Sequence, residues 1–297
     1  MTKKYKLTHH TKEVDGHTLH RIKALKSFGD VEKGDLGGWI EDYSNLSQSD
    51  TAWVYDNAKV YKNAVVYGQA QIRGNAWVYN HTKVLDNAKV YGEACIYDHA
   101  RVLDNAQVGG NAWVYNNAYV VGNAKVLDKA QIYGNAWVYD NAQIYGSAEV
   151  MGNAWVYDNA MVYGNAMVCG NVHVYDNAKV YGDSILQGRI NIREDDDIKD
   201  DSSYLVFNNN WSSRRQFVYV LSNQRWHVGC FDGTGEELIK KAYKDSELSG
   251  KMYEMYVHFA EQAVKTQQQL QSHKQQPHNE CPLWLDSFPS WRGWFGL

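Results

Sequence analysis

Three histidines inside a repetitive stretch are the side chains best suited to proton transfer. His81 ("YNHTKV") and His99 ("YDHARV") lie eighteen residues apart, each where other copies of the phrase carry Asn. His173 ("VHVYDN") takes a place held elsewhere by Trp, Lys or Gln. A neutral imidazole can accept a proton from an attacking hydroxyl or amine, so these three are the candidates for a general base. Histidine also tolerates the backbone of tight corners, which by itself accounts for His81 and His99. Other chemistry is poorly supplied. The four cysteines (Cys95, Cys169, Cys230 and Cys281) include no C-x-x-C pair, and His9, His10, His17 and His20 show no ligand spacing. The acidic run "REDDDIKDDSS" lacks the glycine and spaced ligands of a calcium loop. No metal site is expected.

What the chain has in abundance is aromatic surface. It holds 22 Tyr and 11 Trp but only 3 Pro, more rings than an ordinary core absorbs. The elements that carry them are short and repetitive. From Ala52 an unbroken six-residue frame runs "AWVYDN AKVYKN AVVYGQ AQIRGN" onward to Asp183, preceded in frame by "IEDYSN LSQSDT" and followed by the degraded "SILQGR INIRED". So short a period marks a solenoid. Within each hexad the first and third residues, Ala and Val, point inward, while the second and fourth, such as Trp53 and Tyr55, point outward. The closing Asp-Asn or Gly-Asn turns the chain, because these residues tolerate the left-handed region. One Val and one Ala per hexad can line only a narrow interior. No hexad is stable alone.

The phrase of an aliphatic residue, turn residues with Asn, and a small residue resembles the hexapeptide repeat of left-handed β-helices. That resemblance implies three hexads per triangular coil, so residues eighteen apart sit one above another. About twenty-two hexads then make about seven coils, a prism on the order of 35 Å long. The fold class expected is mainly β: a left-handed parallel β-helix with an N-terminal hairpin cap and a small C-terminal α+β domain.

Solenoid ends expose unpaired strand edges and need covers. Residues 1–39 read as a hairpin cap, with Asp15-Gly16 suited to a type I′ turn. The solenoid is expected over 40–193 and a solvated acidic linker over 194–202. Residues 203–272 read as three strands and two helices, the first capped by Thr234 and Glu237. In the second, Met252, Tyr256, Phe259 and Val264 recur at helical spacing. A Trp-rich tail, 273–297, ends the chain.

The opening "KYKLT…VDG…LHRIKAL…FGDVEKGDLGGWIE", the hexads and "GCFDGTGEELIKKAY" together are similar to a family of bacterial and phage proteins labelled hexapeptide-repeat transferases or polymer-forming cytoskeletal-like proteins. The likeness covers roughly residues 1–270. It implies a phage or prophage protein of the bacterial cytoplasm. Many left-handed β-helix proteins transfer acyl groups from acyl-CoA at a subunit interface, and here His81 or His99 would be the base. Against catalysis, no insertion interrupts the frame, so no loop can wall an active site.

Stepping by eighteen instead aligns Tyr79, Tyr97 and Tyr115, flanked by Trp77 and Trp113, on one side. Trp137, Trp155 and His173 align beside Tyr139, Tyr157 and Tyr175 on another. Aromatic surfaces of this kind concentrate interface hot spots. The expected function is therefore non-catalytic, with no cofactor: a dimer or trimer that binds itself and a host protein, as an inhibitor of a bacterial defence protein would. Acyl transfer is the alternative, followed by a small-ligand or nucleotide sponge at subunit junctions. The net charge of -4 and the mixed charges of the hexads argue against nucleic acid, and no apolar run long enough for a membrane is present.

Overall fold

The computed structural model describes residues 3–274. The architecture follows from where the small and β-branched residues fall. After strands β1 (Tyr5–Val14), β2 (His17–Ala24) and β3 (Leu36–Ile40), twenty-five two-residue strands follow at steps of six, from β4 (Trp53–Val54) to β28 (Asp197–Ile198). Each pairs in parallel with strands eighteen residues away, as Trp137 does with Tyr119 and Trp155. Three faces result, of about nine turns. One continues into the N-terminal hairpin as an 11-stranded sheet, and the other two have 9 and 8 strands.

The interior is the predicted one. Ala136, Val138, Ala142 and Ile144 are typical, all with no exposed surface, in one continuous core that runs the length of the prism. Burying each Val side chain contributes roughly 1.5–3 kcal/mol before entropy is counted. Corners turn on the fifth hexad residue, which takes positive φ: 55° at Asp140 and Asp158, 71° at Gly146. An aspartate there does a second job. The Asp128 carboxylate accepts the Gly146 backbone N–H of the next coil at 3.0 Å. At Gly134 the neighbouring coil is so close that a Cβ would lie 2.9 Å from the Gly152 nitrogen.

The sixth residue completes the corner. Asn87, Asn105, Asn123 and Asn141 donate each to the next, Nδ2 to Oδ1, at 3.0–3.1 Å, and a second ladder runs through Asn117, Asn135, Asn153 and Asn171. Stacked amides add to the strand pairing across these layers.

The coil is longer than about seven turns. It starts at Trp39–Ile40, which pair with Lys59–Val60, and ends at Asp197–Ile198. The acidic run expected as a linker therefore forms the last rung, because Ile192 and Ile198 still fill the inner positions although the outer ones have turned acidic. Asp196 occupies the slot Ala178 holds one coil earlier, and it is fully buried.

Both covers bury an apolar face. At the start, Asp15 and Gly16 make the hairpin turn with φ of 52° and 77°, and Tyr5, Ile22 and Ala24 close the core. Trp53 points outward from its rung, yet this cap covers it to 1% exposure, with Phe28 edge-on at 5.3 Å. At the far end lies an antiparallel sheet of four strands, not the expected three, because the chain turns back after β31 and pairs once more: β29 (Tyr204–Asn208), β30 (Gln216–Val220), β31 (Arg225–Val228) and β32 (Phe231–Gly233). Val218 and Val220 of β30 seal the solenoid core, while Phe217, Tyr219 and Trp226 face two helices. These are α1 (Gly235–Asp245), with the expected Thr234–Glu237 capping box, and α2 (Glu247–Lys274). The face of α2 that packs is Tyr253, Val257 and Ala260, with the expected Tyr256 and Val264 partly buried beside them; Met252 is half-buried and Phe259 is 60% exposed, its ring edge-on to Phe207 at 6.1 Å. The first two residues of the expected tail, 273 and 274, belong to α2, and its Trp-rich part, from 275 on, falls outside the described residues.

Candidate functional site

Outward positions on one face line up as Tyr119, Trp137, Trp155 and His173, held in register by strand pairing. Tyr119 stacks on Trp137 at 4.2 Å; Trp155 lies 6.1 Å from Trp137 and 5.1 Å from His173, tilted in both cases. Beside them Tyr139, Tyr157 and Tyr175 stack at 4.8 and 4.9 Å with interplanar angles of 4° and 2°. The ladder closes its own ring faces and leaves edges and hydroxyls outside. Trp155 breaks from it: its ring stands at 79° to Tyr139 and is 39% exposed. Rings in this crowd lose water. Desolvation pushes the Tyr139 hydroxyl up to about 12 and Tyr157 further. It pulls His173 below the usual imidazole range, favouring the neutral ring.

The second predicted strip also exists. Tyr61, Tyr79, Tyr97, Tyr115 and Tyr133 form one stack with centroids 4.9–5.3 Å apart. Tyr61 is buried under the N-terminal cap, and its hydroxyl donates to Asp15 at 2.9 Å. Trp77 is half-buried with the Lys59 ammonium 4.1 Å over its ring, whereas Trp113 stands 46% exposed, at 79° to Tyr97. Trp113 and Trp155 thus play the same part on two faces. The third face, whose outward strand positions include Gln143 and Lys179, carries a ladder that sequence reading missed: Tyr145, Tyr163 and Tyr181 at 4.8 and 4.9 Å. The eighteen-residue step would have found it.

His81 and His99 stack at 4.9 Å and 10°, both exposed at a corner. They join neither aromatic strip and head the Asn117 ladder in the same column. Because every rung from β4 to β28 follows the last by six residues, no loop rises beside them to bind an acyl donor.

A second polar constellation lies where the solenoid meets the C-terminal sheet. His227 is 3% exposed and sits between two carboxylates, with Nε2 2.8 Å from Asp196 Oδ2 and Nδ1 2.6 Å from Asp232 Oδ2. Asn223 donates to the other Asp196 oxygen at 2.6 Å. Arg193 approaches Asp232 at 3.2 Å and donates to the Tyr175 hydroxyl and the Phe231 carbonyl. Both imidazole nitrogens are engaged, so the group serves as a clamp and leaves no free base. Nothing in the sequence joined "REDDD" to "QRWHV" thirty-one residues on. Among the described residues no group of three or more His, Cys, Asp or Glu is placed to hold a metal ion.

The repeat itself has a counterpart among known families. Residues 130–146 and 154–170 match the family model described as the YdcK beta solenoid repeat. No curated protein matches the chain. Both matched windows lie in the part of the prism that carries Trp137 and Trp155, and the chain is a β-solenoid repeat protein. No helix among the described residues is long and apolar enough to cross a membrane.

Proposed function

We propose that this protein works without catalysis, as a rigid β-solenoid whose aromatic strip captures a protein partner. The observation that carries this reading is Trp155. It stands 39% exposed between Trp137 and His173, beside a closed tyrosine ladder, on a face with no loops. A large ring on a pre-ordered surface loses little freedom on binding and is the residue type that dominates interface energetics. The closed ladders disfavour a flat ligand that must stack, such as single-stranded nucleic acid, because their faces are already filled. The likeness to phage and bacterial hexapeptide-repeat proteins makes a bacterial host protein, for example a defence factor, the partner to seek.

The test is capture from bacterial lysate, followed by affinity measurement with the purified partner. Trp137→Lys with Trp155→Lys should lower affinity by at least about 30-fold, the loss of one hot spot of about 2 kcal/mol. Circular dichroism should stay unchanged. Unaltered capture by the double variant, together with acyl transfer from acyl-CoA that His81→Ala or His99→Ala abolishes, would replace this reading with an enzymatic one.

A further inference from the structure

The face that carries Trp155 ends at β27 (Asn191–Ile192), the outermost strand of its sheet. There a cleft of about 260 Å³ opens between the solenoid and the C-terminal sheet. The coil supplies Arg189 and Asn191 to its lining, and the sheet supplies Arg215, Gln216, His227 and Gly229. Asn191 pairs with His173, so the cleft continues the column of Trp155 and His173.

This lining is rich in donors that have nothing to donate to. Among the described residues, neither the Arg189 nor the Arg215 guanidinium has an ion pair or hydrogen bond, and no carboxylate lines the cleft. Asp196 and Asp232, which touch His227 from outside the lining, are spent on that ring and on Arg193 and Arg225. The Arg189 backbone N–H donates to Gln216 Oε1 at 2.6 Å, which ties coil to sheet. That contact uses the acceptor of the Gln216 amide and leaves its Nε2 hydrogens free, as are those of the half-buried Asn191. At Gly229, with φ of 60°, an added Cβ would meet only Arg215 Nη1, at 4.0 Å. One guanidinium nitrogen therefore stands over a turn with no side chain to crowd a ligand. Two uncompensated positive charges match a dianion, and guanidinium forks take phosphate oxygens two at a time. We propose that this cleft binds a phosphate group, either free or carried as a monoester on a protein segment. The site stands or falls independently of capture at Trp155.

Inorganic phosphate titrated into the isotope-labelled full chain tests this, with sodium chloride holding the ionic strength constant. The amide resonances of Gly229 and Asn191 should shift and saturate at millimolar phosphate or below. Arg189→Gln with Arg215→Gln, both at exposed positions, should abolish saturation over the same range with circular dichroism unchanged. Trp155→Ala should leave phosphate binding intact, which separates this site from partner capture. Phosphoserine with blocked termini identifies the source. Tighter binding than inorganic phosphate assigns the cleft to phosphate on a protein segment, and the reverse order assigns it to free phosphate. Shifts that rise without saturating, or saturation that survives in the double variant, would overturn the proposal. So would acetate binding as tightly as phosphate.

Discussion

Val138 offers the sharpest test of the narrow interior. It is fully buried, with Val120 and Val156 directly above and below it. Val138→Ala removes two methyl groups from that stack. At about 0.8 kcal/mol per buried carbon the transfer loss is about 1.6 kcal/mol. Backbone pairing on both sides prevents the coils from collapsing inward, so a void of roughly 40–50 Å³ should persist. At about 24 cal/mol per Å³ it adds about 1 kcal/mol. The expected cost is therefore about 2.5–3 kcal/mol, large for so small a change. Equilibrium guanidinium unfolding followed by far-ultraviolet circular dichroism would measure it. Because each coil contacts only its neighbours, amide exchange should quicken in the coils next to residue 138 and stay slow at the N-terminal cap. A cost below about 0.5 kcal/mol would refute the reasoning, since it would mean the valine files are not close-packed. Acceleration spread evenly along the prism would refute the nearest-neighbour account.

Two further outcomes follow from the polar groups. Desolvation pushes Tyr97 and Tyr139 up to about 12 and holds Tyr133 and Tyr157 higher still. Folding favours their neutral form, so the stability they contribute is intact below pH about 10, where the unfolded chain begins to ionise, and is lost as pH rises through 12. Spectrophotometric titration near 295 nm should show a late ionisation phase in native protein that shifts to about 10 in guanidinium. At the distal joint, His227→Ala leaves the Asp196 carboxylate buried without its imidazole, and breaking a buried pair costs about 3–5 kcal/mol. Limited proteolysis of that variant should release residues beyond about 200 while the solenoid survives. Equal resistance in variant and parent would show that the clamp does not hold the joint.

Most of the prism was legible because its rules are local. Ala136 and Val138 must face inward and Trp137 outward by strand alternation alone, and Asp140 turns the corner by its own backbone tolerance. Repetition then extends one hexad's geometry to all of them, so the Tyr79–Tyr97–Tyr115 and Tyr139–Tyr157–Tyr175 files followed by counting. Counting failed at the ends. There the phrase decays, and whether a residue is inside depends on what packs over it. Trp53 has the same place in its hexad as Trp155, yet one is sealed under Tyr5 and Phe28 while the other meets solvent. The acidic residues 194–198 look like a solvated linker until Val218 and Val220 close over the final coil. Asp196 is tolerable in an alanine slot because the Arg193 backbone N–H of its own corner, together with His227 and Asn223 arriving from the C-terminal sheet, satisfies its oxygens. The burial of Tyr253 in place of Phe259 was likewise set by where the sheet docks on α2. Periodicity is a property of the chain and can be read from it. Contacts between segments with no common repeat, and the desolvation they impose, exist only after the chain has folded.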